Sequence, residues 1–307
     1  MDQRHIVILG GTGFVGRHLV ARLRQDGHRI SVRTRTTAAH RGALPVDVPL
    51  LEGDVSDAGF LRGAFADADA VVNLVGILNE SGDDGSGFER VFVGITESLI
   101  AAMQATGVRR LLQMSALHAG EGESHYLQAR GRADKRVRAS GLDWTLLRPS
   151  VIAGPGDGLF CRFDALLRIT PVLPIGRADA RFQPVWVGDV VEAFARALGD
   201  DATIGHSYDL VGPEVMTLAQ IVRLTARARG RHRAVIALPD ALGRLQAEVG
   251  EHLPGKPISR DNWRSLQSDS VSADNGLPRL GIVPTPVAPR LAEILGLPAA
   301  GQARSPH

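Results

Sequence analysis

The chain has 307 residues, enough for one large or two ordinary domains around a sizeable core. Apolar residues make up 44% and charged residues 22%, which excludes both an intrinsically disordered chain and a bundle of membrane-spanning helices. With 35 basic against 33 acidic side chains the formal charge is +2, too small to argue for nucleic acid as a partner.

From the N-terminus, short apolar runs that read as buried strands alternate with longer segments of helical spacing, the rhythm of a parallel sheet. Strands are predicted at His5 to Leu9, Ile30 to Thr34, Leu50 to Glu52, Ala70 to Leu74, Arg110 to Met114 and Trp144 to Leu147. Between them, helices are predicted at Phe14 to Gln25, Ala58 to Ala66, Phe88 to Thr106 and Tyr126 to Ser140. Gly27, Gly107 and Gly141 follow helices where a left-handed residue ends them, and Pro149 stands where a strand stops donating.

After Pro149, glycine and proline crowd SVIAGPGDGLF and TPVLPIG, which signals a new subdomain. FQPVWVGDVVEAFARAL reads as a strand and a helix that rejoin the first sheet, and His206 to Leu210 as a further short strand. Residues 1–150 with about 183–206 are therefore expected to form a Rossmann-type, doubly wound parallel sheet. Residues 151–182 and 207–298 are expected to form a second, smaller mixed α/β domain, and 299–307 a mobile tail. Leu238, Leu242, Leu245, Val249 and Leu253 mark one stripe of a helix, expected as a packed face rather than a membrane anchor.

IVILGGTGFVGRHLVARL places Gly10, Gly13 and Gly16 between a strand and an amphipathic helix, as G-x-x-G-x-x-G. Glycines let the backbone turn tightly and approach a pyrophosphate, while free amides at the helix start face its negative charge. Gly10, Gly11, Thr12, Gly13, Phe14, Val15 and Gly16 are thus candidate dinucleotide contacts; no Gly-Lys-Ser/Thr follows, which excludes a Walker-type loop. The second strand continues ISVRTRTTAAHR without the acid that would accept the hydroxyls of an adenosine ribose. Arg35, with Arg33 on the same strand face, could instead neutralise a ribose 2′-phosphate, favouring NADP(H) over NAD(H). The alternative of two solvated surface charges stays open, because the sequence uses arginine nearly everywhere lysine would serve.

GGTGFVG, GDVSD, NLVG, SAL, RPSVIAGPGDG and FQPVWVGDVVEAF, in this order, resemble the extended or atypical branch of the short-chain dehydrogenase/reductase superfamily over nearly the whole chain. VVNLVGIL, SGLDWTLLRPSVIAGPGDG and YDLVGPEVMTL resemble more closely the nucleotide-binding accessory subunit of respiratory complex I and its bacterial relatives. The resemblance implies that Asp54 and Val55 lie near the adenine, that Asn73, Leu74, Val75 and Gly76 lie near the adenosine ribose and pyrophosphate, and that Pro149, Ser150, Val151 and Ile152 lie near the nicotinamide.

Catalytic members of the superfamily use a Ser or Thr, a Tyr, and a Lys four residues after the Tyr, because a carbonyl needs a proton donor whose pKa a cation lowers. Tyr126 and Ser115 match, but Arg130 stands at the lysine position. Lys135 is nine residues beyond Tyr126 and points to the other side of the helix. Arg130 keeps the charge in a larger, planar group that stays protonated and cannot relay a proton. As purely structural residues, Tyr126 would be a helix anchor and Ser115 a strand-end hydroxyl bonded to backbone.

The remaining signals are weaker. GPGDG at Gly154 to Gly158 reads as a turn, Arg148 as either a substrate contact or a helix-to-sheet tie, and RARGRHRA at Arg227 to Ala234 as a solvated face or a surface for anionic lipid or an acidic partner. Cys161 is the single cysteine, which fits a reducing cytoplasm, and the irregularly spaced histidines give no metal site. The four apolar residues Ile6 to Leu9 are too few for a signal-peptide core.

Three functions follow as expectations. The first is an NADP(H)-dependent oxidoreductase of an unidentified carbonyl or alcohol substrate with a weakened motif. The second is a non-catalytic NADPH-binding accessory, assembly or sensor protein of a respiratory or quinone-related complex, cytoplasmic or peripheral at the inner membrane. The third, from extended-family architecture alone, is a nucleotide-sugar epimerase or dehydratase.

Overall fold

The computed structural model describes residues 3–37, 42, 44–253 and 256–298; the tail expected at 299–307 lies outside the described residues. In chain order the first part runs β1 (His5–Leu9), α1 (Phe14–Gln25), β2 (Arg29–Thr34), β3 (Leu50–Glu52), α2 (Ala58–Phe65), β4 (Ala70–Asn73), α3 (Ser86–Phe88), a π-helical segment over Glu89–Gly94 that continues into α4 (Ile95–Thr106), β5 (Arg110–Met114), α5 (His125–Arg138) and β6 (Asp143–Pro149). The second part runs β7 (Ile152–Ala153), α6 (Phe160–Ile169), β8 (Val172–Gly176), β9 (Arg181–Phe182), β10 (Val185–Trp186), α7 (Val187–Gly199), β11 (His206–Leu210), β12 (Met216–Thr217), α8 (Leu218–Ala228), β13 (Ala234–Leu238), α9 (Asp240–Gly250), α10 (Arg260–Ser265), α11 (Gly276–Arg279) and α12 (Leu291–Ile294).

Seven strands pair in the order β11-β6-β5-β4-β1-β2-β3, and every pairing is parallel. Both sheet faces are covered, which is why the strands read as near-continuous apolar runs. On one face Ile6, Ile8, Ile30 and Val32 pack with Leu19, Val20 and Leu23 of α1 and with Val190, Phe194 and Leu198 of α7. On the other, Val7, Leu9, Val71 and Leu111 pack with Leu61 and Phe65 of α2 and with Leu99 and Met103 of α4. Each such fully buried side chain contributes about 1.5–3 kcal/mol, so α7 is tied to the first sheet although α6 and four short strands separate it from β6.

The smaller region is built on strand pairs outside the large sheet: β8 with β13, β9 with β12, and β7 with β10. Leu167, Ile175, Leu218, Val222 and Ala226 form its own core. Two expectations need correction here. The helix of FQPVWVGDVVEAFARAL does rejoin the first sheet, but its strand residues Val185 and Trp186 pair with Ile152 and Ala153 instead. The strand His206–Leu210 adds to β6 as the edge of the large sheet, so that sheet extends past the boundary expected at 206.

A third correction concerns the stripe of large apolar residues on α9. Leu238 ends β13 and so is not on the helix, Leu242, Leu245 and Val249 on α9 and Leu253 beyond it are exposed, and the small residues Gly243, Ala247 and Gly250 face inward. A Cβ on Gly243 would meet the Trp263 ring at 2.3 Å and Gly176 Cα at 3.0 Å, so close packing selects the small face.

Candidate functional site

A parallel sheet brings the C-terminal ends of its strands to one edge, and the order of strands reverses direction between β1 and β4, where such folds bind ligands. Gly10 follows β1 there with φ +77°, and a Cβ on it would meet the Leu74 and Val75 backbone at 3.0–3.1 Å. A Cβ on Gly11 would meet Val32, and one on Gly16 would lie 2.4 Å from the Gly10 carbonyl oxygen, so these glycines are required by the loop's own packing. Gly13 differs. Its backbone is extended, at φ −73° and ψ 179°, and a Cβ would meet only the Gly10 carbonyl oxygen at 3.3 Å. Gly13 also caps α1 without any side-chain acceptor, and no acid occupies the first turn. An uncapped helix start with room beside its glycine fits a dinucleotide pyrophosphate.

Around this loop the edge gathers most of the expected cofactor residues. Leu74 N–H donates to Leu9 at 2.9 Å, and Asn73 accepts from Val75 N–H at 3.1 Å while donating to Gln113 at 2.9 Å, which fixes the segment from Asn73 to Gly76 beside Gly10. Pro149 ends β6 and accepts from Leu117 N–H, and Ser150 donates to the Ser270 carbonyl at 2.8 Å. Val151 and Ile152 continue into the strand pair with β10. Asp54, after β3, is exposed; its hydrogen bonds from Ser56 and the nearby Arg35 charge hold its carboxyl below the ordinary range, whereas Val55 turns into the core.

The two arginines of β2 separate. Arg35 is exposed at the cofactor edge. Arg33, expected beside it, is 6% exposed and donates to the Ala64 carbonyl at 3.0 Å, near the end of α2 and toward the N-terminal edge of the sheet. Its Nε and Nη1 find no acceptor, and burial lowers its pKa. Alternation along the strand set Arg33 on the right face, but the side chain runs along that face away from the glycine loop.

Tyr126 and Arg130 lie on the first turns of α5, whose N-terminus opens at the same edge. Tyr126 is partly buried, with its ring edge-on to Phe92 at 5.5 Å and Phe88 at 5.9 Å. Arg130 is 6% exposed: Nη1 donates to the Met114 carbonyl at 2.8 Å, and the guanidinium lies 3.9 Å from the Phe92 ring centroid and 5.6 Å from that of Tyr126. A Cβ on Gly76 would meet Arg130 Nη2 at 2.7 Å, so the glycine leaves room for this guanidinium. Ser115 follows β5 and is buried; its hydroxyl faces Asp134 without a well-aligned hydrogen bond. Burial pushes the Asp134 carboxyl above its ordinary range, against the pull of Ser115 and of Arg138, Arg130 and Arg148.

Several participants escaped sequence reasoning. Asp261 on α10 accepts from Ser124 Oγ at 2.9 Å, His125 N–H at 2.7 Å and Tyr126 N–H at 3.1 Å, so the smaller region caps the helix that carries Tyr126. No local signal announces a cap from 135 residues away. Phe92 sits in the π-helical segment, whose register a helical stripe does not reveal. Two signals the sequence did single out are placed as well: GPGDG is the turn it was read as, Asp157 accepting from Gly154, Leu159 and Cys161 N–H ahead of α6, and Arg148 pairs with Asp209 at 2.7 Å.

The glycine-loop edge and the parallel sheet define a Rossmann-type fold with a candidate dinucleotide site. Residues 10–159 match the model of an NAD(P)H-binding family. The chain is 29% identical over 289 residues to the mitochondrial NADH dehydrogenase (ubiquinone) 1 alpha subcomplex subunit 9 of Arabidopsis thaliana, covering 88% of this chain and 71% of that protein. It is 28% identical over 250 residues to the ceramide reductase of Caulobacter vibrioides, covering 78% and 75%. Among solved structures, the UDP-glucose 4-epimerase of Thermotoga maritima superposes with a TM-score of 0.77 at 17% identity, covering 95% of this chain and 97% of that one. The dTDP-glucose 4,6-dehydratase of Streptomyces venezuelae, solved with NAD, superposes at 0.76 and 22% identity, covering 95% of each chain. The resemblance drawn from the motifs is thereby borne out at the level of superfamily and fold. Among the described residues, no helix is long and apolar enough to cross a membrane.

Proposed function

We propose that this protein holds NADPH at the C-terminal edge of its parallel sheet and turns it over slowly or not at all toward generic carbonyl compounds and nucleotide sugars. The amides opening α1 at Phe14, Val15 and Gly16 would bind the pyrophosphate, and Arg35 would bind the 2′-phosphate by charge-assisted hydrogen bonds. Asp54 and Val55 would flank the adenine, Asn73 to Gly76 the adenosine ribose and pyrophosphate, and Pro149 to Ile152 the nicotinamide. When bound, the nicotinamide supplies hydride-transfer chemistry. What the chain lacks is a matching proton relay.

The observation that carries this reading is Arg130. Its guanidinium is stacked on Phe92 and bonded to the Met114 carbonyl, where a lysine would present a mobile ammonium to ribose and water. A role as bound-cofactor subunit, in an assembly at the cytoplasmic face of a respiratory membrane, is supported by the relatives that are respiratory NADH dehydrogenase subunits.

One observation favours a slow oxidoreductase as the second reading. Tyr126 keeps partial exposure beside a cation, and one relative is a ceramide reductase, so reduction of a carbonyl group is the chemistry to look for. Stopped-flow absorbance of NADPH against aldehydes, ketones and nucleotide sugars separates the two. Little oxidation by the natural chain, and at least a tenfold rise in Arg130→Lys, is the expected result. Rapid oxidation by the natural chain, abolished by Tyr126→Phe, would overturn the binding role.

A further inference from the structure

We propose that the loop from Leu78 to Gly85, latched to α10 by the Asp83–Arg264 ion pair, is the gate through which the dinucleotide enters and leaves, so that opening of the latch sets its exchange rate. The gate rests on the reading that NADPH binds at the glycine-loop edge. Contacts close a ring at that edge. Gly10 abuts the Leu74 and Val75 backbone, from which the chain runs on to Leu78. A Cβ on Gly158 would lie 3.4 Å from Leu78 Cδ1, one on Gly156 would lie 3.0 Å from Arg17 Nη2, and one on Gly154 would meet the Phe14 ring at 3.2 Å. The GPGDG turn therefore lies against the first turns of α1 on one side and reaches the loop after β4 on the other. A ligand whose pyrophosphate sits on the first amides of α1 is held inside this ring and leaves when one of its contacts parts.

The contact between Leu78 and Gly158 is the one built to part. Gly154 is wedged against the core residue Val187, and Leu74 N–H is bonded to Leu9. Leu78, by contrast, is 62% exposed and packs in none of the buried apolar clusters. Within the loop, the buried Glu80 carboxylate accepts from Gly85 N–H at 2.8 Å and from Gly87 N–H at 2.7 Å, so the segment moves as one piece. Its ties to the smaller region are polar. Arg264 donates to both carboxylate oxygens of Asp83 at 2.6 and 2.7 Å, Arg260 stands 3.3 Å from the same group, and Lys256 Nζ donates to the Glu80 carbonyl at 2.7 Å. An element held by a few charged bonds and little apolar burial opens before the packed core around it does.

The other half of the latch is firm. Asp261 of α10 accepts from the His125 and Tyr126 amides at the start of α5, and Trp263 of the same helix fills the space beside Gly176 and Gly243. When the ion pair opens, α10 stays in place and the loop swings.

Stopped-flow fluorescence of NADPH, mixed with the full-length chain and then chased with excess NADP+, tests this. Asp83→Asn and Arg264→Met are each expected to speed association and dissociation alike, about tenfold, while the dissociation constant moves less than about threefold. The double variant should match the faster single one, because both changes open the same latch. Arg264 also stands 3.6 Å from Asp261, so Asp83→Asn is the cleaner of the two. Asp84→Asn, at an exposed acid of the same loop that accepts from Ser86 N–H, is expected to leave both rates alone. In the natural chain, added salt is expected to speed dissociation, and Asp83→Asn to lose that response. NADPH binding with rates unchanged in both single variants, or with faster dissociation and unaltered association, would overturn the gate alone. Failure of the natural chain to bind NADPH would overturn the dinucleotide reading and the gate with it.

Discussion

Small residues are used in opposite senses at the two ends of this molecule. At the glycine-rich loop, Gly13 leaves space that protein atoms do not fill, at the start of a helix whose first amides have no side-chain cap. On α9, Gly243 is filled against Trp263 and Gly176, and the large apolar side chains are left outside. In the first region the small residue marks where a ligand approaches the backbone. In the second it marks where the protein closes on itself, with the large side chains of the helix left on its opposite side.

The contrast can be broken most forcefully at the loop. Gly13→Val is expected to lower NADPH affinity at least a hundredfold by calorimetry while thermal unfolding stays cooperative, because its side chain meets only the Gly10 carbonyl before entering the ligand space. Gly16→Val should instead unfold the loop, since its Cβ has no room at all beside Gly10 and Gly11. On α9, Gly243→Ala is expected to destabilise by about 1–2 kcal/mol in urea titrations, the overlap with Trp263 outweighing the gain in helix propensity. NADPH affinity should not change.

A smaller effect sharpens the difference between the two arginines of β2. Arg35→Ala is expected to reduce the preference for NADPH over NADH about tenfold, the magnitude of one lost charge-assisted bond. Arg33→Met, which removes a buried cation bonded only to Ala64, should leave the preference unaltered and the fold at least as stable. If Arg33→Met moved the preference as Arg35→Ala does, the orientation of Arg33 toward the N-terminal edge would be wrong.

The smallest expected effect lies at Asp134. Its carboxyl titrates higher in the folded chain than in the unfolded one because it is buried, so folding holds the proton more tightly. Its contribution is therefore most favourable at acid pH and is lost as pH rises from the unfolded pKa through the folded one. Asp134→Asn should melt a few degrees higher than the natural chain at neutral pH, with the difference closing toward acid pH. A variant that melts lower at neutral pH would show that the ionised carboxylate is held by the surrounding arginines.

The Rossmann part was legible because its signals are local. A strand, three glycines and an amphipathic helix occur within one short segment, and Gly27, Gly107 and Gly141 take the positive φ expected of helix ends. The spacing of Tyr126 and Arg130 was equally readable, being fixed by helix geometry. What escaped depends on partners distant in sequence. Period-two alternation put Arg33 on the correct face but carried no information on which edge its long side chain reaches. The leucine stripe on α9 announced an apolar face, yet only the arrival of Trp263 and Gly176 on the other side decided that the face points outward. Asp261 caps α5 from another region of the chain, with nothing near either residue to announce it.

Calorimetric titration of the purified chain with NADPH and with NADH tests the account most directly. One site per chain with NADPH bound at least tenfold tighter than NADH is the predicted result. Equal affinities, a preference for NADH that survives Arg35→Ala, or no binding of either dinucleotide would contradict it.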